Sequence, residues 1–365
     1  MRTLALLLLM GAVLPGQENL GVLPEGPGLA ARYAGDAGIA SDPSVVFVED
    51  FSRGSLEELR DRWSDISNKD GRVLAFEHDV PEGSASPFSL RMTATRDVNN
   101  GGHLYRTFHP GYERLFLRFY VKFAPDAGFN HHFVSLGGAI DPPKWPVGGA
   151  GLRPVNGWNT GIEPVAATMH ADGASYPPPG IWHFYTYWPE MRSWRTPEGS
   201  ASNDNEGSFY GNNFEPAEPV VIPRGEWICV EIVVRMNSAP DAWDGEQAVW
   251  IGGKLAGRFA TGTMRGSWFK DNFQVNPAGA PFEGFRWRTD GRVNVNKLWL
   301  SHYASAEQAF PRTERYAAAH PEFRVNTREQ TVWFAGVVAA TEYIGPMGRP
   351  AHGTIDRSRP VRRLR

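Results

Sequence analysis

The sequence predicts an all-β fold, a two-sheet antiparallel jelly-roll sandwich, on three observations. Residues 113–123 alternate strictly: Leu115, Leu117, Phe119, Val121 and Phe123 share one face, and Arg114, Phe116, Arg118, Tyr120 and Lys122 share the other. Residues 228–236 repeat the pattern, with Glu231 and Arg235 opposite Ile228, Val230, Ile232, Val234 and Met236. Finally, 40 glycines and 29 prolines in 365 residues punctuate the chain into short elements and long loops.

The other elements follow in order. Residues 45–51 open the domain with a β-rich run, and 55–63 read as one or two helical turns. Residues 246–255 contain Trp250-Ile251-Gly252-Gly253-Lys254, a hairpin with a tight glycine turn. Residues 284–288, 293–303 and 332–344 read as strands. Only residues 305–320 have the Ala and Glu content of a helix, and Pro311 is expected to interrupt it. Many strands and little helix argue for two packed sheets.

At the amino end, Met1-Arg2 precedes an apolar block, Leu4 to Leu14, then Pro15-Gly16. That is the pattern of a signal peptide over residues 1–16, and the block is too short for a membrane span, which needs roughly 20 apolar residues. Residues 17–42 read as a linker or loosely docked arm, 43–347 as one domain, and 348–365 as a flexible basic tail. The single cysteine, Cys229, allows no intrachain disulfide and sits in an apolar run as an inert thiol. These features suit a bacterial protein that is secreted or periplasmic. A net charge of −3 supplies no overall attraction to nucleic acid or membranes.

Three clusters carry residues able to do chemistry. The stripe Arg118, Tyr120 and Lys122 suits an acidic ligand if its strand face lines a groove, and is an ordinary solvated face otherwise. In Trp182-His183-Phe184-Tyr185-Thr186-Tyr187-Trp188, alternation puts His183, Tyr185 and Tyr187 together, an unusual set of proton-transfer groups for a core. Aromatic strands also pack in sandwich cores, which is the plain alternative. His131-His132 is the third cluster; on a strand the two would face opposite ways, so a two-histidine metal site is not expected. No cofactor is expected, and the sequence leaves a structural calcium open.

The order Gly101-Gly102-His103-Leu104-Tyr105, Phe119-Tyr120-Val121-Lys122-Phe123, Gly137-Gly138 and the Tyr185-x-Tyr187 strand resembles the jelly-roll polysaccharide lyases of the alginate and glucuronan lyase type, families 14 and 20. The hairpin at 245–254 and the strand 298–303, which contributes His302, are similar to later elements of that family. The resemblance spans roughly residues 45–345 and implies a concanavalin A-like sandwich acting on a polysaccharide. It implies catalytic tyrosine at Tyr185 or Tyr187. It also implies a lysine after the Gly-Gly loop, where Ala139 stands, and an arginine on the next strand, where Glu163 stands.

Lyase chemistry removes the C5 proton of a uronate and expels the C4 oxygen, so it needs a base, an acid and a cation near the carboxylate. Tyr185 or Tyr187 is expected to serve as base or acid with His183 or His132 assisting, and Arg118, Lys122 and Arg288 to neutralise. Glu163 would oppose a uronate unless protonated or paired with a cation. Two alternatives stand beside this reading. One is a glycoside hydrolase pairing Glu163 with Glu190, Glu231 or Glu283. The other is a non-catalytic, lectin-like carbohydrate-binding protein.

Overall fold

The computed structural model describes residues 21–168, 173–197, 199 and 207–348. The expected signal peptide and nearly all of the expected basic tail lie outside the described residues. The strands are β1 (Val45–Glu49), β2 (Asp65–Ser67), β3 (Leu74–Glu77), β4 (Ser89–Thr95), β5 (Gly101–Tyr112) and β6 (Arg114–Phe123). Then come β7 (Val134–Ala139), β8 (Gly157–Val165), β9 (Ile181–Tyr187), β10 (Asn212–Phe214), β11 (Trp227–Arg235) and β12 (Glu246–Ile251). The last are β13 (Lys254–Phe259), β14 (Arg265–Phe269), β15 (Asn272–Val275), β16 (Ala280–Pro281), β17 (Val295–Tyr303) and β18 (Glu329–Ala340). Two helices, α1 (Leu56–Arg62) and α2 (Ala309–Ala319), lie outside the sheets.

The strands form a jelly-roll sandwich of two sheets. The smaller runs β13-β12-β11-β6-β18-β4-β3, with β1 also paired to β18. The larger runs β16-β14-β15-β10-β9-β8-β7-β17-β5-β2. Pairing is antiparallel except between β10 and β15. The alternation in β6 and β11 sends Leu117, Phe119 and Val121, with Val230 and Ile232, into the shared core against Trp182 and Phe184 of β9. Phe133 links the sheets, its ring 5.3 Å from Phe334 and 6.1 Å from Trp182. Two inward hydroxyls, Thr160 and Thr186, lie 2.8 Å apart, and Thr160 donates to Gln247 of the facing sheet at 2.7 Å. Burying them is tolerable because each has a partner.

Local signals explain the connections. Gly252 and Gly253 both have positive φ, +59° and +81°, as a two-residue turn of the mirror-image type requires where Ile251 pairs with Lys254. Ser55 caps α1 by accepting from the Glu58 amide. Pro311 does not interrupt the second helix. It sits in the first turn of α2, where a missing N–H costs no helical bond. Residues 284–288 form no strand; Phe285 and Trp287 stack in the core at 4.2 Å instead.

The outer face of the smaller sheet is covered. Residues 21–42 turn through two short 3-10 segments and bury Leu29, Ala30 and Ile39 against Phe116, Val233, Trp250 and Ile344. Residues 21–42 of the stretch expected as a linker or loosely docked arm therefore form a packed layer.

Candidate functional site

The residues expected to carry chemistry are divided between the two sheets. Arg118, Tyr120 and Lys122 do share a face of β6, but it is the outer face of the smaller sheet, where other parts of the chain engage all three side chains. Arg118 is fully buried and donates to Asp36 of the arm at 2.5 Å. The Tyr120 hydroxyl accepts from the Met347 amide at 2.9 Å. Lys122 is paired with Asp79 and lies 4.8 Å from the Trp333 ring. Arg288 is also elsewhere: it binds Glu113 at 2.7 Å and Asn294 at 2.7 Å, tying residue 288 to the start of β6. His302 points the wrong way as well. It shares the core face of β17 with Leu298 and Leu300, donates its Nε2–H to the Gln330 carbonyl at 2.8 Å, and meets Phe133 edge-on. The expectation of a basic groove from these residues is corrected accordingly.

The larger sheet presents the remaining residues on its face turned away from the core. Register aligns them in rows. One row reads Tyr105, Trp299, Ser135, Gly161, Tyr185 and Asn213 across β5, β17, β7, β8, β9 and β10. The next row reads Thr107, Lys297, Gly137, Asn159 and Tyr187. Glu163 and His183 are partners in the row on the other side. The inward partners on β9, Trp182 and Phe184, are fully buried, and this fixes the orientation of its tyrosines by parity.

His132 completes the group from the loop before β7. Its Nδ1 lies 3.1 Å from Glu163 Oε1 and 3.2 Å from Oε2, and its ring is 5.4 Å from that of Tyr185. His131 and His132 do not face apart, because they precede the regular strand: their rings stack at 4.1 Å, beside Tyr303. Burial works against protonation of His132, but the Glu163 carboxylate outweighs it and raises the imidazole pKa above its ordinary value. His183 is fully enclosed and burial holds it down to about 4, a neutral ring packed beside Glu163. Burial raises both phenols of β9, and a hydrogen bond between Tyr185 and Tyr187 adds to the rise at Tyr185. Tyr185 thus keeps its hydroxyl hydrogen near neutral pH. Gly211 lies against its ring; a Cβ there would come within 2.5 Å of it.

A cleft of about 570 Å³ opens beside His132 and crosses β17 and β5, lined by His103, Trp299, Ser301 and Tyr303. His103 Nε2 binds Asp65 at 2.8 Å. Sequence reasoning passed over Lys297, Trp299, Tyr303 and His103. The signal was present in β17, where Lys297, Trp299, Ser301 and Tyr303 alternate with Val295's core neighbours Leu298 and Leu300.

The three carboxylates considered as partners of Glu163 in hydrolysis are each engaged by other groups. Glu231 lies on the smaller sheet and accepts from the Ile344 and Gly345 amides, Glu190 pairs with Arg286, and Glu283 pairs with Arg192 at 3.1 Å. No three His, Cys, Asp or Glu side chains cluster as a metal centre would need, among the described residues. No helix of the described residues is long and apolar enough to cross a membrane.

No family model matches the chain, and no curated protein matches it. Solved structures do. An alginate lyase from a Chlorella virus, vAL-1, superposes with a TM-score of 0.50 at 11% identity, covering 81% of this chain and 99% of the other. A marine alginate lyase of family 14 from Aplysia kurodai gives 0.49 at 11%, with 81% and 99% covered. An endo-β-1,4-glucuronan lyase from the fungus Trichoderma reesei gives 0.43 at 14%, with 81% and 95% covered. At such identities the likeness speaks to architecture, and the chain has the jelly-roll fold of the alginate lyase type.

Proposed function

We propose that this protein is a polysaccharide lyase-like enzyme that binds an acidic polysaccharide on the outer face of its larger sheet and cleaves it by β-elimination. The observation that carries the reading is the grouping of Tyr185, Tyr187, His132 and Glu163 on one sheet face, a donor phenol beside a carboxylate-backed imidazole. The fold shared with a viral alginate lyase supports the same substrate class. The apolar block of residues 4–14 supports export from the cell.

Roles follow from the geometry. Glu163 holds Nδ1 of His132, which leaves the Nε2 lone pair as the base. Nε2 takes the C5 proton of a uronate, and Glu163 stabilises the imidazolium that forms. The electron pair of the C5–H bond becomes the C4–C5 double bond. The C4–O4 bond then breaks, and O4 takes the proton of the Tyr185 hydroxyl. Tyr187 hydrogen-bonds Tyr185 and His183 packs beside Glu163, so both are positioning residues in this scheme. The account is tested by incubating the protein with alginate, glucuronan and polygalacturonate while following ultraviolet absorbance of the unsaturated product. Absorbance with at least one polymer is expected. Release of reducing ends without it would mean hydrolysis.

A lectin-like reading has one observation of its own: Ala139 and Glu163 stand where the resembling lyases are expected to carry a lysine and an arginine. Binding of a polymer with no product of either kind would favour it.

A further inference from the structure

The elimination needs a cation beside the uronate carboxylate, and Arg118, Lys122 and Arg288 all lie elsewhere. We propose that the Lys297 ammonium is the carboxylate-binding group of this face, seating the acid of one sugar residue above Gly137, between Trp299 and Asn159. This rests on the reading of the larger sheet as a site for acidic polysaccharide.

Four observations support it. Lys297 stands on β17 in register with Gly137 of β7, one row from Trp299 and Tyr185. Gly137 provides the space, since a Cβ there would sit 2.7 Å from Lys297 Cε and 3.1 Å from Asn159 Oδ1. Any other residue at position 137 would push the lysine stem away. The two acids on this face, Glu163 and Asp65, are each engaged by a histidine, His132 and His103. Lys297 has no hydrogen bond or ion pair among the described residues, and its row, Thr107, Gly137, Asn159 and Tyr187, contains no acid.

An ammonium held in a partly buried place without a counter-ion is costly, and burial pulls its pKa down to about 8. A bound carboxylate removes that cost, so the site favours an anion over a neutral group. The rings of Trp299 and Tyr187, on either side in the lattice of the sheet, offer flat apolar surfaces for sugar rings. The ligand class is therefore an acidic sugar whose carboxylate points into the sheet.

The test uses the full chain and compares hexamers of alginate and of β-1,4-glucuronan with cellohexaose, which has the glucuronan backbone without its carboxylates. Calorimetric titration is run on the native protein, Lys297→Met and Lys297→Arg. Lys297→Met keeps the stem over Gly137 and should weaken the acidic hexamer roughly 10- to 100-fold, the worth of one charge-assisted hydrogen bond. Lys297→Arg should restore part of the affinity, and cellohexaose binding should be equal in all three. Unchanged acidic-hexamer affinity in Lys297→Met would overturn the proposal and leave the wider reading standing. If native protein binds no acidic hexamer at all, the site reading falls and the proposal with it. If Lys297→Met does not fold, acetylation of native protein gives the answer by mass spectrometry. Protection of Lys297 by the acidic hexamer supports the assignment, and modification at an unchanged rate contradicts it.

Discussion

His132 Nδ1 lies 3.1 Å from Oε1 of Glu163, joining a loop histidine to the centre of the larger sheet. The carboxylate raises the imidazole pKa against the pull of burial. Glu163→Gln should therefore lower the His132 pKa, since burial remains and the charge is gone. NMR titration of the ring checks this; a pKa that stays put or rises would dissociate the pair. The sign for stability follows. The pair stabilises fully below the unfolded histidine value of 6.5, and that contribution is lost as pH rises through the folded value.

The same pair sets the pH dependence of turnover. His132 must be neutral to accept a proton, so kcat should rise with pH through the raised His132 pKa. In Glu163→Gln the rising limb should move to lower pH while the rate falls, because the imidazolium is no longer stabilised. A pH–rate profile unmoved by the substitution would remove His132 as the base.

Arg118 and Asp36 form a buried clasp between β6 and the amino-terminal arm. Burial alone would lower the guanidinium pKa, but Asp36 raises it above its usual value. Asp36→Ala should cost about 3–5 kcal/mol in urea unfolding, because it strands a buried charge. Polysaccharide binding should be unaffected, since the clasp lies on the other sheet. A loss below about 1 kcal/mol would show that water reaches the arginine.

Glu231 carries a pH signature of its own. Burial lifts its carboxyl from 4.5 to about 7, partly offset by the amides of Ile344 and Gly345. The folded state then holds a proton that the unfolded state has lost, so stability should fall as pH rises from 4.5 to about 7. Thermal midpoints of the native protein and Glu231→Gln across that window check the slope, which should flatten in the variant. Equal slopes would mean the carboxylate is ionised throughout.

Local alternation made the strands and their core faces legible. Leu117 and Phe119 in β6, Val230 and Ile232 in β11, and Trp182 and Phe184 in β9 all read correctly from period two. What alternation cannot reveal is which outward face stays open. Arg118 and Tyr120 look like a binding stripe in sequence, but Asp36 and Met347, 82 and 227 positions away, engage them. Parity decided the β17 residues. Taking His302 instead of Ser301 or Tyr303 selects the core face, because one position along a strand reverses the side. Lys297 was invisible for another reason: its significance lies in facing a glycine on a strand about 160 residues earlier, a relation of register alone.

The central claim is most directly tested by the rate of unsaturated-product formation in Tyr185→Phe. The substitution removes one hydroxyl and creates no cavity, so the thermal midpoint should stay close to that of the native protein. The account predicts that kcat falls roughly a hundredfold or more, the usual worth of a positioned acid. An unsaturated product formed by Tyr185→Phe at the native rate would contradict it.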